Sequence, residues 1–176
     1  NLRTGYTYMF GHSGKKLLFM GQEFGQEREW SEERELDWFL LQEPLNKGMQ
    51  EYVKELLNLY RKNPAMYEVD RDWSGFEWIN CDDCDRSIYS FMRKSKDGKK
   101  KLLFVLNMTP IMRENFEVGV PTKKKCKLVL NSDEVRFGGN GNEIPATITP
   151  TAEECDNLPY RIKFDLAPFS AAVFEI

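Results

Sequence analysis

Hydrophobic periodicity changes at Pro64, and the change limits what each side can become. Before it, Met49, Tyr52, Val53, Leu56, Leu57 and Tyr60 recur at helical spacing, which places them on one face of an α-helix. The pattern predicts a helix over residues 46–62, capped by Asn46 and stopped by Pro64, because a residue preceding proline is pushed out of the helical region. After Pro64 the helical spacing vanishes. Short apolar runs separated by turn residues follow at 76–79, 87–93, 101–107, 116–120, 126–130, 146–149, 161–166 and 170–176. The second and third of these are joined across Lys96-Asp97-Gly98 as a hairpin. In the seventh, Ile162, Phe164 and Leu166 alternate with Arg161, Lys163 and Asp165, the mark of a strand with one wet face. Short strands at this spacing predict an antiparallel β-sandwich.

The N-terminal part reads differently. Leu2, Tyr6, Met9 and Phe10 fit the end of an amphipathic helix over residues 2–11, broken at Gly11 and Gly14. The unbroken apolar run Leu17-Leu18-Phe19-Met20 predicts a strand buried on both faces, as in a parallel sheet. From Gln22 to Glu43, eight acidic residues stand against two basic ones, with Trp30, Trp38 and Phe39 interleaved. This stretch is expected to be a long, mostly irregular loop or linker. One strand with two helices cannot bury its own apolar faces. Residues 1–65 are therefore expected to be the edge of a larger α/β fold, and residues 66–176 an all-β domain that folds independently. The start at Asn1, without an initiating Met, predicts a piece of something longer.

Composition excludes several function classes. Of 176 residues, 25 are Lys or Arg and 28 are Asp or Glu, for a formal charge of −3, so no electrostatic footprint for nucleic acid exists. The run Lys99 to Lys101 reads as a solvated hairpin tip. No stretch reaches the roughly 18 apolar residues that span a bilayer. Cys81 and Cys84 are separated by two residues, but Cys126 and Cys155 are distant from them, so a zinc site lacks its second pair. A redox motif would need a strand-to-helix junction and a lowered thiol pKa, whereas Asp82-Asp83 lies in a turn between strands and would raise it. Reduced cytoplasmic thiols are expected, with no metal and no cofactor. With His12 as the sole histidine, a catalytic triad or multi-His metal site is excluded.

The string Gly14-Lys15-Lys16-Leu17-Leu18-Phe19-Met20-Gly21-Gln22-Glu23-Phe24-Gly25-Gln26-Glu27-Arg28-Glu29-Trp30 resembles the last barrel strand of bacterial-type glycogen branching enzymes, of the α-amylase superfamily, and the loop after it. Agreement continues through Leu36-Asp37-Trp38, Leu59 to Ala65, Gly75 to Ile79, Asp85-Arg86-Ser87, Asn107 to Pro110 and Leu166 to Ala171. Ser13, Gln22 and Gly25 depart from the family, where proline, asparagine and alanine are common. The resemblance implies a (β/α)8 barrel, of which residues 1–65 are the C-terminal remnant, followed by an all-β C-terminal domain over residues 66–176. It also implies transfer of α-1,4-glucan segments to α-1,6 branches with retained configuration. An Asp nucleophile, a Glu acid/base and a further Asp serve this chemistry at the ends of the fourth, fifth and seventh barrel strands. Retention requires two carboxyl groups about 5 Å apart, one ionised and one protonated. No segment here matches those motifs, so no catalytic residue is assigned to this chain.

Four residues are candidates for contact with α-glucan. Gln22 and Glu23 follow the apolar run, hence the C-terminal rim on which barrel enzymes build their sites. They would wall the active cleft, with Glu23 holding a neighbouring side chain; a structural ion pair is the simpler alternative. Trp30 and Trp38 could stack on glucose rings, the alternative being core or interdomain packing. Two other functions compete: a stand-alone carbohydrate-binding β-sandwich, and part of a related α-glucan hydrolase. The expected partners are α-glucan, an upstream barrel and, for the isolated chain, a second copy. The apolar residues within 1–20 are expected either to be held by that copy or to fold back on the helix at 46–62.

Overall fold

A computed structural model describes all 176 residues. Two helices, α1 (Leu2–Gly11) and α2 (Pro44–Lys62), precede eight strands. These are β1 (Phe76–Asn80), β2 (Ile88–Lys94), β3 (Lys101–Asn107), β4 (Arg113–Val120), β5 (Cys126–Asn131), β6 (Thr147–Ile148), β7 (Tyr160–Leu166) and β8 (Ala171–Glu175). Every strand pairing is antiparallel. One sheet has six strands in the order β1-β2-β3-β8-β5-β6, and the other consists of β4 and β7. The protein is mainly β, and each strand expected after Pro64 is present within a few residues.

The six-stranded sheet is covered on both faces, which explains why β3 is buried along nearly its whole length. Successive side chains on a strand point to opposite faces. Phe91, Leu102, Phe104, Leu106, Ala171 and Val173 form one core with Phe10 of α1 and with Met49, Tyr52, Val53 and Leu56 of α2. Ile88, Leu103, Val105, Ala172 and Phe174 form a second core with Val118, Val120, Ile162, Phe164 and Leu166 of the β4-β7 ribbon. The layers are therefore helices, sheet and ribbon. Phe91 and Phe104, directly opposite across β2 and β3, stack with centroids 4.9 Å apart. Gly48 lets α2 approach closely, since a Cβ there would lie 2.8 Å from the backbone of Phe137.

The helices and one face of the sheet share a core, which sets what the β part would lose if it folded alone. The apolar face of α2, read correctly from its spacing, has the sheet as its partner. The arrangement of residues 2–11 is the folded-back one: α1 lies on α2 and the sheet, with Phe10 buried. The strand expected at Leu17–Met20 does not form. The segment is extended but unpaired, and Leu17, Phe19 and Met20 are 75, 49 and 50 % exposed. A parallel strand needs neighbours for its N–H and C=O groups, and no strand of this chain runs beside it. Asn46 is not the cap of α2: Glu43 holds that position and Pro44 opens the helix, where its fixed φ suits the first turn. The segment 22–43 is mostly irregular, as expected, with 3-10 turns at Gln22–Phe24 and Trp38–Gln42.

Arg93 of β2 ties these parts together from a fully buried position. Its guanidinium donates to the carbonyls of Gly11 and His12 at the end of α1, and to those of Met66, Val69 and Gly75 between α2 and β1. It also donates to Asp70 Oδ1 at 2.7 Å. The cation thus satisfies carbonyls that a helix end leaves unpaired.

Candidate functional site

The loop after the apolar run is shaped by two glycines. Gly21 and Gly25 flank the turn at Gln22–Phe24 with φ of 88° and 67°, a region that glycine enters without steric cost. A Cβ at Gly21 would also lie 2.8 Å from Gln26. Phe24 is buried beneath this turn. Asn46 of α2 holds the turn from below, its amide donating to the carbonyls of Phe24 and Gly25 at 3.0 and 3.2 Å.

Gln22 and Trp30 come together in one open cleft of about 450 Å³, lined also by Phe19, Met20 and the chain from Gln26 to Glu29. Gln22 Oε1 accepts from the Phe19 amide at 2.9 Å, and the Gln22 carbonyl accepts from the Tyr6 hydroxyl at 2.9 Å. Trp30 meets Phe19 edge to face with centroids 5.4 Å apart. Glu23 does not line this cleft; it lies near Tyr6, whose hydroxyl pKa is raised by burial and then by the Glu23 charge. Trp38 is also elsewhere, packed against Phe24 at 5.2 Å. Neither tryptophan is in the core: Trp30 is 39 % and Trp38 47 % exposed.

The segment bearing both tryptophans is clasped by Arg28 and Asp37. Two parallel hydrogen bonds join them, Nε to Oδ2 at 2.8 Å and Nη2 to Oδ1. The Asp37 amide also donates to Gln26 Oε1 at 2.9 Å. The Arg28 guanidinium, hydrogen-bonded to Asp37, holds its carboxyl below the usual carboxylate range. Neither residue was singled out from the sequence. The signal was there, since two arginines in a stretch with eight acidic residues have carboxylates close by, but sequence spacing does not say which one pairs.

The other motifs have local roles. His12 ends α1, its backbone N–H donating to the Tyr8 carbonyl. Cys81 and Cys84 are exposed free thiols in the turn between β1 and β2, and Cys126 and Cys155 are also free. Desolvation and then the neighbouring Asp82 raise the Cys81 thiol pKa. Gly98 turns the hairpin between β2 and β3 with φ of 68°, and Lys100 pairs with Glu175 at 2.7 Å.

Comparison with known proteins agrees with this architecture. The family described as "Alpha amylase, C-terminal all-beta domain" matches residues 78–176. The 1,4-alpha-glucan branching enzyme GlgB of Butyrivibrio fibrisolvens is 60 % identical over 174 residues, covering 99 % of this chain and 27 % of that protein. The branching enzyme GlgB of Halothermothrix orenii is 46 % identical over 175 residues, covering 99 % of this chain and 28 % of its own length. The chain thus spans little more than a quarter of these relatives. Among solved structures, an α-amylase from H. orenii superposes with a TM-score of 0.61 at 18 % identity, over 99 % of this chain and 35 % of that one. A cyclomaltodextrin glucanotransferase, CldA, gives 0.58 at 16 % identity, over 99 and 31 %. These two likenesses concern the fold alone. With more than half of its length matched by one family model, the chain belongs to the α-amylase C-terminal all-beta domain family, and over nearly its whole length it is similar to a part of 1,4-α-glucan branching enzymes.

Proposed function

We propose that this chain is the C-terminal part of a retaining 1,4-α-glucan branching transferase, which moves α-1,4-linked segments to α-1,6 positions during glycogen synthesis. The observation that carries the reading is the 60 % identity to a branching enzyme across 174 residues, helices and loop included. That identity extends through residues 1–65, which a stand-alone binding module of the β-domain would not need. In this reading residues 1–65 are the end of a barrel and residues 66–176 its C-terminal domain, with the upstream barrel as partner. The nucleophile and the acid/base belong to the part of the relatives' length that this chain does not span. Gln22, Glu23, Trp30 and Trp38 are assigned to the α-glucan path. No helix here is long and apolar enough to cross a membrane, and four free thiols favour a reducing, cytoplasmic setting.

Two measurements test the reading. Incubated with amylose, the isolated chain should create no α-1,6 linkages detectable by NMR, because without the paired carboxyl groups the barrier to glycoside cleavage stands. Grafted in place of the aligned part of the Butyrivibrio enzyme, it should sustain branching. A folded but inactive graft, or branching by the isolated chain, would overturn the proposal.

A further inference from the structure

The β4-β7 ribbon turns one arginine toward its apolar side. Phe116, Val118 and Val120 lie opposite Phe164, Ile162 and Tyr160, and every second residue of β4 faces the second core. Continued unbroken, that alternation would bring Glu114 inward. Instead two residues, Glu114 and Asn115, stand against Asp165 alone. Asn115 has a φ of 53°, and its amide donates to Asp165 Oδ1 at 2.6 Å. A bulge of this kind re-aims the side chains beyond it. Arg113 therefore stands opposite Leu166, on the inward row. Its place there is poorly provided with acceptors. The Arg113 Nε is buried without a hydrogen-bond partner. Its Nη2 reaches only the Arg86 carbonyl at 3.4 Å and the Thr109 hydroxyl at 3.5 Å, both beyond the usual N–H···O distance.

Arg86 and Arg113 line one cavity of about 500 Å³, within the usual range for small-ligand sites. Arg86 gives Nε and Nη2 to Asp83 at 2.9 and 2.6 Å, which leaves Nη1 over. Its guanidinium lies 5.7 Å from the centre of the Phe116 ring, and Met112 adds a second apolar wall. Buried polar atoms are nearly always paired, so an orphaned guanidinium N–H at a cavity marks a place for an acceptor. The carboxylates on the wall already have partners. Glu117 pairs with Arg161 at 2.9 Å, and Asp156 accepts from the Asn80 side-chain amide and the Gly119 N–H, each at 2.9 Å. Their charges, with that of Glu114, nevertheless remain close and oppose a dianion. A planar, singly charged acceptor meets both conditions. Carboxylates match the fork of a guanidinium and carry half the charge of a phosphate dianion.

We propose that the cavity of Arg86 and Arg113 binds a small monocarboxylate, with the two guanidinium groups holding the carboxylate and Phe116 and Met112 receiving an apolar body. The site lies on the ribbon side of the sheet, across it from α2 and the Gln22 turn, and does not depend on the branching reading. The probe is benzoate, titrated into the 176-residue chain at constant ionic strength and followed by the arginine Nε–H resonances and by the benzoate carboxyl carbon. The Arg113 Nε–H signal should shift saturably. Arg113→Gln should weaken the binding about tenfold, and Arg113→Lys should recover only part of it, because an ammonium lacks the planar fork. Arg86→Gln should also weaken binding. The Arg86 side chain is half exposed, so this variant leaves the thermal transition nearly unchanged and separates binding from folding. An Arg113 signal that stays still at tens-of-millimolar benzoate, or affinity unaffected by both glutamine variants, would overturn the site. Inorganic phosphate binding there more tightly than benzoate would overturn the carboxylate assignment.

Discussion

Arg93 and Lys16 meet the same small region from opposite sides, with opposite energetic consequences. Arg93 is completely buried, and its hydrogen bonds gather five carbonyls and one carboxylate. Arg93→Ala leaves Asp70 without its counter-charge and those carbonyls without donors, so it should destabilise the fold by about 3–5 kcal/mol. Arg93→Lys should recover little, because an ammonium cannot reach acceptors spread around a planar fork. Urea midpoints at constant m-value would report both. Lys16 caps nearby carbonyls, those of His12 and Gly14, but burial pushes its ammonium down to about 8, from 10.5. The folded chain therefore releases this proton near pH 8, while the unfolded chain holds it to about 10.5. Between those values unfolding takes up a proton, so this group favours the fold increasingly as pH rises; below about pH 8 the cost of burying the charge is present in full. The stability difference between the wild type and Lys16→Met should accordingly shift in favour of the wild type from pH 7.5 to 10. A flat difference across that window would show that Lys16 keeps an ordinary pKa. The sequence did not reveal either role. An arginine inside Phe91-Met92-Arg93-Lys94 reads as a strand's wet position, and only the end of α1 and the turns between α2 and β1, closing over it, make it dry.

Elements were legible wherever one periodicity governed them. The helical stripe from Met49 to Tyr60 and the alternation from Ile162 to Leu166 each depend only on which face is buried, and both stand except at Leu57, which is exposed at the margin of its stripe. The segment at Leu17–Met20 was misread because four consecutive apolar residues specify burial without specifying a partner, and pairing is what makes a strand. Its exposed side chains still favour association of the isolated chain. Leu17, Phe19 and Met20 lie close in sequence, with unpaired backbone around them, an arrangement that recruits another edge. Deleting residues 1–20 would confuse the outcome, since it also removes Phe10 from the core. The cleaner variant is Leu17→Ser, Phe19→Ser and Met20→Ser. The parent chain should show a concentration-dependent dimer in sedimentation and the triple variant a monomer at the same loading. A wild-type chain that stays monomeric at high concentration would leave only the folded-back arrangement of α1.

At the scale of the whole molecule, the point the sequence left open was which surfaces meet. Composition and period separate a helical part from a β part at Pro64, but a boundary in pattern is not by itself a boundary in folding. Patterning records that α2 has an apolar face and that β3 is apolar on both sides, but it carries no address linking one to the other. The structure supplies that address through Tyr52, Val53 and Leu56 on one side and Phe91, Leu102, Phe104 and Val173 on the other. A chain beginning at Val69 would lose α1, α2 and Met66, and would open this sheet face to water while keeping the core between the sheet and the β4-β7 ribbon. Each large apolar side chain so uncovered forfeits about 1.5–3 kcal/mol, and several at once exceed the roughly 5–15 kcal/mol by which domains are ordinarily stable. The truncated chain should therefore lack a sharp thermal transition and should bind a hydrophobic dye such as ANS, with β-type far-UV dichroism partly retained. Adding back residues 1–68 as a separate chain should restore cooperativity, because the lost contacts are surface-to-surface and need no covalent continuity. A truncated chain that melts cooperatively without dye binding would show that the ribbon-side core is sufficient, and that the division at residues 65 and 66 is one of folding as well as of pattern.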